Sequence, residues 1–120
     1  MGTYNNFKPE IGNIIIKIGD KFDLSLLVYS KDDNGVLTPY DLDGKTVRCE
    51  VRSTKDGDVD LSMVSPTDIT IEGDDDNQIT FDKTITELTE GSYYYDMQVD
   101  EDDYTFREGK IFAKVQITDD

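Results

Sequence analysis

At Leu88-Thr89-Glu90-Gly91-Ser92-Tyr93-Tyr94-Tyr95-Asp96 the chain turns and enters a strand. Gly91 ends the turn, and aromatic side chains then recur at every second position. A period of two is the signal of a strand with one buried face. We therefore predict a strand from Ser92 to Val99 whose inward-facing side chains are Tyr93, Tyr95, Met97 and Val99. Tyr94 and Asp96 then face outward, and the hydroxyl of Tyr93 is placed to reach back to the preceding turn.

The composition favours strands over helices along the whole chain. A single alanine stands against 12 threonines, 11 isoleucines and 8 valines. β-branched side chains lose rotamer freedom in helices and pack well on a pleated sheet. Leu, Ile, Val and Phe make up 31 of the 120 residues, or 26%. Because charged chains tend to be disordered below roughly 20%, we predict a folded, all-β domain.

Other strands repeat the alternation of apolar and polar residues. Lys21 to Tyr29 and Lys45 to Ser53 are predicted strands, with inward-facing side chains Phe22, Leu24, Leu26, Val28, Val47, Cys49 and Val51. The last predicted strand runs from Tyr104 to Thr118, and Gly109 predicts a β-bulge within it. The turn signals between such segments fall about ten residues apart, which is typical of a sandwich of two antiparallel sheets.

The position of Tyr93 narrows this fold class. A tyrosine near the start of strand F that bonds back to the preceding corner is typical of immunoglobulin-like sandwiches. The prediction is therefore an all-β, immunoglobulin-like, two-sheet antiparallel β-sandwich of seven to nine strands. We assign residues 13–120 to this domain and residues 1–12 to a flexible or partner-docking N-terminal arm.

Charge and residue types exclude several functions. The net charge is −15, from 27 acidic and 12 basic residues, and there is no histidine. Nucleic acids and anionic lipids are neutralised by Lys and Arg, so neither nucleic acid nor membrane is an expected partner. Histidine is the commonest general base and metal ligand, and its absence favours a protein with no enzymatic activity, no catalytic residues and no cofactor. Cys49, the single cysteine, is predicted to be buried.

Three acidic loops have the composition of weak calcium sites. The segment from Asp56 to Asp60 begins like a calcium loop, but the sixth and twelfth loop positions hold Leu61 and Thr67 instead of glycine and glutamate. Residues 74–76 and 100–103 are carboxylate clusters, and solvated loop tips of this kind are commoner than ion sites. We therefore predict no metal-binding residues.

Three outward-facing features are candidates for binding. Asp96 either pairs across the sheet with Arg48 or Arg52, or is simply exposed to solvent. Tyr94, two residues before Asp96, is an exposed aromatic side chain that could contribute to a binding surface. Ile14-Ile15-Ile16 is apolar on both faces, so it is either covered within the domain or packed on a neighbouring subunit.

Several segments line up with a known family. They are Ile18-Gly19-Asp20 with Phe22-x-Leu24-x-Leu26, Asp41-Leu42-Asp43-Gly44-Lys45-Thr46-Val47 with Cys49-Glu50-Val51-Arg52, and Gly91-x-Tyr93-x-Tyr95-Asp96-Met97-Gln98 with Glu108-Gly109-Lys110-Ile111 and Val115-x-Ile117-Thr118. Together they resemble small immunoglobulin-like domains of tailed-bacteriophage virions, and are similar to the N-terminal domain of baseplate upper proteins. The resemblance covers roughly residues 13–118.

This resemblance implies a non-enzymatic structural role in a virion. The chain would be made in the bacterial host cytoplasm and would dock onto other virion proteins of the tail, baseplate or neck. Its N-terminal arm and exposed strand edges are the expected contacts, and self-association into a homo-oligomer is an open alternative. A capsid decoration protein and a calcium- or carbohydrate-dependent adhesion module are the other functions that the sequence leaves open.

Overall fold

The structure is a computed structural model that describes residues 10–115. These residues contain strands but no α-helix, which confirms the predicted all-β class. The strand segments are β1 (Glu10–Ile11), β2 (Ile14–Ile18), β3 (Lys21–Phe22), β4 (Ser25–Leu27), β5 (Tyr29–Lys31), β6 (Leu37–Pro39), β7 (Val47–Arg52), β8 (Val59–Val64), β9 (Ile69–Glu72), β10 (Gln78–Phe81), β11 (Lys83–Thr84), β12 (Gly91–Val99) and β13 (Tyr104–Val115). A 3₁₀ turn at Asp100–Asp102 joins β12 to β13.

The larger sheet has six strands. Its order is β1-β13-β12-β7-β8, and β2 also pairs with β13. β13, β12, β7 and β8 are antiparallel neighbours, whereas β1 and β2 both run parallel to β13. The sheet therefore departs from the predicted purely antiparallel arrangement, because the chain enters the sheet beside its own last strand.

Smaller sheets lie outside this one. β4, β10 and β9 form a three-stranded sheet, while β3 pairs with β11 and β5 pairs with β6. The predicted strand from Lys21 to Tyr29 is consequently three short strands, and residues 10–115 hold thirteen strand segments instead of seven to nine strands. The three parts of this segment pair with different partners, β3 with β11, β4 with β10 and β5 with β6. Between β4 and β5, the side-chain amide of Asn77 donates to the carbonyl oxygen of Val28 at 3.0 Å.

The inward faces of the sheets share one hydrophobic core. Val47, Cys49 and Val51 of β7 are fully buried, and so are Ile79 and Phe81 of β10. The predicted inward-facing residues of β12 are also buried, which confirms the alternation in both strands. One core between the faces of separate sheets is consistent with a β-sandwich. Cys49 is buried as predicted, and burial raises the pKa of its thiol.

The corner before β12 has the geometry that the sequence predicts. The hydroxyl of Tyr93 donates a 2.8 Å hydrogen bond to the carbonyl oxygen of Thr89, and the backbone nitrogen of Thr89 donates to the same hydroxyl at 3.0 Å. The tyrosine thereby satisfies both backbone groups of Thr89, which lies in the turn before β12. This contact fixes where β12 begins and, through the alternation, which of its side chains face outward.

The predicted bulge lies elsewhere. The register between β12 and β13 shifts between Met97 and Gln98, and Gly109 itself pairs regularly with Tyr95. Gly109 has a different role, because the carbonyl oxygen of Gly12 crosses it so closely that a β-carbon at position 109 would lie 1.9 Å from that oxygen. The glycine is required by close backbone approach, not by a bulge.

Candidate functional site

The side chains that point away from the core on the six-stranded sheet form one continuous surface, which we call the outer face. Alternation along the strands decides its membership, because burying every second residue turns the others to solvent. The outer face carries Ile15 and Lys17 of β2, Lys110, Phe112 and Lys114 of β13, Tyr94 and Asp96 of β12, and Arg48, Glu50 and Arg52 of β7. Tyr94, Asp96 and Ile15, each predicted separately from the sequence, thus lie on the same surface.

Tyr94 lies near the middle of the outer face. It is 37% exposed and stands directly opposite Lys110 in the β12–β13 register. The ammonium nitrogen of Lys110 lies 5.5 Å from the centre of the tyrosine ring. A cation over an aromatic face contributes about 0.5–1 kcal/mol at an exposed site, so this contact orients both side chains without burying either.

A group of lysines and apolar side chains adjoins Tyr94, and we call it the lysine patch. It consists of Ile15, Lys17, Tyr94, Lys110, Phe112 and Lys114. The parallel pairing of β2 with β13 places Ile15 opposite Phe112 and Lys17 opposite Lys114. Ile15 is 66% exposed. Within residues 10–115, the three lysines of the patch form no ion pair.

A row of carboxylates crosses the outer face beside this patch, and we call it the carboxylate row. Glu108, Asp96 and Glu50 are direct cross-strand neighbours on β13, β12 and β7. Like charges opposite each other are destabilising, and Arg52 offsets part of this repulsion. Its guanidinium donates to Glu50 at 2.7 Å and to Asp96 at 3.3 Å. Asp96 therefore pairs with Arg52, which is one of the two predicted partners.

The two oxygens of Asp96 have different surroundings. Oδ2 accepts the bond from Arg52, whereas Oδ1 is buried and has no hydrogen-bond partner within the described residues. The side chain as a whole is 36% exposed, so the burial concerns one oxygen only. Burial raises the pKa of Asp96; Arg52 opposes this shift, and the charges of Glu50 and Glu108 add to it. The ionised form of this carboxylate is thus incompletely stabilised by its neighbours.

A groove of about 600 Å³ lies between the lysine patch and the carboxylate row. Its lining includes Arg52, Lys55, Tyr94, Asp96, Lys110 and Phe112. Among the described residues of this lining there is no serine, cysteine or histidine. Its ammonium and guanidinium groups can hold anions, while its carboxylates can accept hydrogen bonds from a bound chain.

The other predicted partner of Asp96, Arg48, contacts the acidic tip between β12 and β13 instead. Its guanidinium donates to Asp100 at 2.8 Å, and this hydrogen bond lowers the pKa of that carboxyl. Lys45 pairs with Asp102 at 3.0 Å, and the backbone nitrogen of Thr46 donates to Glu101 at 2.7 Å. The tip therefore braces the segment that leads into β7.

Calcium binding finds no support in these loops. The carboxylates of the tip are occupied by cations and backbone groups, and Asp60 accepts a 2.7 Å bond from the backbone nitrogen of Ser53. Over the described range, no group of three or more Asp, Glu, His or Cys side chains is arranged to hold a metal ion.

Among residues 10–115, no helix is both long and apolar enough to cross a membrane.

The isoleucine strand has two different faces. Ile14 and Ile16 are buried in the domain core, so these two are covered within the domain, as the first of the two predicted alternatives has it. Ile15 lies exposed on the outer face. Of the predicted arm, residues 1–9 lie outside the described residues. Glu10–Ile11 pairs with Arg107 and Glu108 of β13, and the Gly12 nitrogen donates to the Glu108 carbonyl at 3.1 Å.

The sequence did not predict that the three lysines of the lysine patch lie together. Alternation alone predicts that Lys110 and Lys114 face outward, but it does not predict that Ile15 and Lys17 lie beside them. That depends on a parallel pairing between the two ends of the chain, Ile14 opposite Ile111. The outward position of Phe112 between two lysines was the available signal.

No known protein-family model matches the chain, and no curated protein matches its sequence. The proposals below therefore rest on the geometry of the outer face and on the sequence resemblance.

Proposed function

We propose that this chain is a non-enzymatic structural component of a tailed-bacteriophage virion, a domain that docks onto other virion proteins of the tail, baseplate or neck. The observation that carries the proposal is the outer face. It presents Ile15, Tyr94 and Phe112 on the face of the sheet that points away from the hydrophobic core. Exposed apolar groups rimmed by charged residues are typical of protein-interaction surfaces.

The immunoglobulin-like fold class is part of the same proposal. The order β13-β12-β7-β8 corresponds to strands G, F, C and C′ of a variable-type sandwich, and β4-β10-β9 corresponds to B, E and D. The hydrogen bonds between Tyr93 and Thr89 correspond to the tyrosine corner of such domains. Both features support the resemblance to virion domains on which the proposed role depends.

The proposal is tested by asking whether the chain is part of the particle. Virions produced by the strain whose genome encodes the chain are banded on a density gradient, and the chain is quantified by mass spectrometry in each fraction. We expect it to co-migrate with particles at a fixed ratio to tail proteins. A chain that stays in the soluble fractions, with none in the particle band, contradicts the proposal.

The copy number of the chain per particle, measured in the same experiment, distinguishes a tail or neck adaptor from a capsid decoration protein. A capsid decoration protein would scale with the capsid protein and would be absent from isolated tails, whereas an adaptor would be retained by them. Light scattering on the purified chain gives a second distinction. A discrete assembly favours a self-formed ring, while a monomer means that a partner dictates assembly.

The calcium-dependent adhesion alternative is separated by melting the protein with and without Ca²⁺. Binding of an ion to the folded state alone raises the melting temperature. We expect no shift, because Asp100 and Asp102 are paired with Arg48 and Lys45. A Ca²⁺-dependent rise would favour the adhesion module over both virion functions.

A further inference from the structure

We propose that the lysine patch binds an extended, acidic segment of a partner polypeptide. The segment carries two carboxylates four residues apart with an apolar side chain midway between them. The carboxylates contact Lys110 and Lys114, and the apolar side chain packs on Phe112 and Ile15. This inference rests on the proposed docking function and names the chemistry of the partner that it leaves open.

The first argument for this binding site is the pattern of ion pairs within the chain. Acidic residues outnumber basic ones by 27 to 12, so a surface lysine readily finds a carboxylate. Ion pairs within residues 10–115 hold Lys21, Lys45, Arg48, Arg52 and Lys83. Lys17, Lys110 and Lys114 form none among the described residues. Lys31 and Lys55 form none either, but they do not lie on β2 or β13, whereas the three patch lysines lie together on one face of the sheet.

The spacing along β13 carries the second step. Lys110, Phe112 and Lys114 alternate with buried Ile111 and Ala113, so all three point to the same face. Alternate residues of a strand lie about 6.7 Å apart, which places the two lysine positions about 13 Å apart along β13. An extended segment has the same period, and its residues i, i+2 and i+4 therefore match lysine, phenylalanine and lysine in turn.

A simpler explanation accounts for some of the lysines but not for all of them. A lysine on an exposed strand edge discourages unwanted strand pairing, and Lys17 lies on the edge strand β2. Lys114 lies just beyond Ala113, where the ladder with β12 ends. Lys110 pairs with Tyr94 of β12 inside the sheet, so edge protection does not explain it.

The surroundings of the patch select a polypeptide among anionic partners. A net charge of −15 repels densely charged polyanions such as nucleic acid or an anionic lipid surface. Glu108 and Asp96 lie directly beyond Lys110 and add repulsion on that side. A segment with two spaced carboxylates can lie along β13 from Lys110 to Lys114, which takes it away from the carboxylate row.

The test uses the full chain and a short fluorescent peptide containing Glu-Thr-Leu-Thr-Glu, flanked by glycine and serine. Binding is measured by anisotropy, and the contact surface by amide chemical shifts. We expect shifts on β2, β12 and β13 that include Tyr94 and Phe112. In the variant Lys110→Gln/Lys114→Gln the dissociation constant should rise about three- to tenfold, as expected for two exposed ion pairs.

The matched control for each single variant, Lys110→Gln and Lys114→Gln, is Lys31→Gln, which removes one positive charge on β5, outside the six-stranded sheet. Lys31, too, is exposed and has no ion pair among the described residues. The Lys31→Gln variant should bind as the unmodified chain does, and circular dichroism should show that all variants melt alike. The peptide with glutamine in place of glutamate should bind at least about threefold more weakly.

Four outcomes would overturn the inference: no binding, equal losses in Lys31→Gln and in the single variants Lys110→Gln and Lys114→Gln, equal binding of the glutamine peptide, or shifts that lie outside the patch. Equal or tighter binding to a DNA duplex or to phosphatidylserine vesicles would also overturn it, because the partner class would be wrong. Particle banding is independent of these results. A chain that binds the peptide but is absent from virions supports the inference and contradicts the proposed function. A chain that is present in virions but does not bind the peptide supports the proposed function and contradicts the inference.

Discussion

The hydroxyl of Tyr95 donates a 2.7 Å hydrogen bond to the backbone carbonyl of Gly12, 83 residues earlier in the chain. The same hydroxyl accepts a 3.1 Å bond from Nε of Arg107. Tyr95 is 3% exposed, so these bonds are made within the domain. They hold the chain where it enters β2, and β2 contributes Ile15 and Lys17 to the outer face.

We expect Tyr95→Phe to destabilise the domain by about 1–2 kcal/mol, because the change removes the hydroxyl that bonds to the Gly12 carbonyl and to the Arg107 guanidinium. Urea denaturation measures the loss. The control is Tyr94→Phe, whose exposed hydroxyl has no hydrogen bond within the described residues and whose loss should change stability by less than about 0.5 kcal/mol. Equal effects of the two substitutions would contradict the assigned role of Tyr95.

Gly109→Ala should be more damaging than Gly44→Ala, for a different physical reason. A β-carbon at Gly109 would lie 1.9 Å from the backbone oxygen of Gly12, and backbone can yield only by moving the strands, at about 3 kcal/mol. Gly44 has open space around it but a φ of +75°, which costs an alanine about 1 kcal/mol. Thermal melting of both variants checks the order, and a milder effect at Gly109 would contradict the close crossing.

Local periodicity predicted the parts of the fold that depend on one strand alone. The inward-facing residues of β7 and β12 were predicted because a half-buried strand repeats every two residues. The contact of the Tyr93 hydroxyl with the preceding turn was predicted because the tyrosine and the turn are close neighbours in the sequence, four residues apart for Thr89. The alternation also placed Tyr94 and Asp96 on the outer face.

What local periodicity did not predict depends on distant pairing. The Lys21–Tyr29 segment is divided because its parts pair with three different partner strands, which no pattern within that segment encodes. The lysine patch likewise needs β2 to pair in parallel with β13. Register between strands is decided by which faces are buried together, and a single strand does not contain that information.

Asp96 and Asp100 should respond to pH in opposite directions. Burial raises the pKa of folded Asp96, so the folded state binds its proton more tightly than the unfolded chain does, and this carboxyl contributes stability in acid that is lost as pH rises. Arg48 lowers the pKa of Asp100, whose contribution is present at neutral pH and lost as pH falls. We therefore expect Asp96→Asn to raise the melting temperature at neutral pH and Asp100→Asn to lower it.

Melting curves from neutral pH to below the usual range of aspartate pKa values check both expectations. Each variant should converge with the unmodified chain in acid, where the aspartates are protonated and resemble asparagine. Glu50, Glu108 and Arg52 surround Asp96 and remain unchanged in its variant. A lower melting temperature for Asp96→Asn at neutral pH would mean that the bond to Arg52 outweighs the cost of burying the charge.

Cys49 should not react with thiol reagents while the protein is folded. It is fully buried on β7 between Val47 and Val51, and burial raises the pKa of its thiol, so neither access nor thiolate is available to a reagent. Labelling with a thiol-specific disulfide reagent should be undetectable in buffer and complete in denaturant, with a rate set by unfolding. The control is Ser62→Cys in a Cys49→Ala background, which places a cysteine on an exposed position of β8 and should label at once. Equally fast labelling of native Cys49 would contradict its place in the core between the sheets.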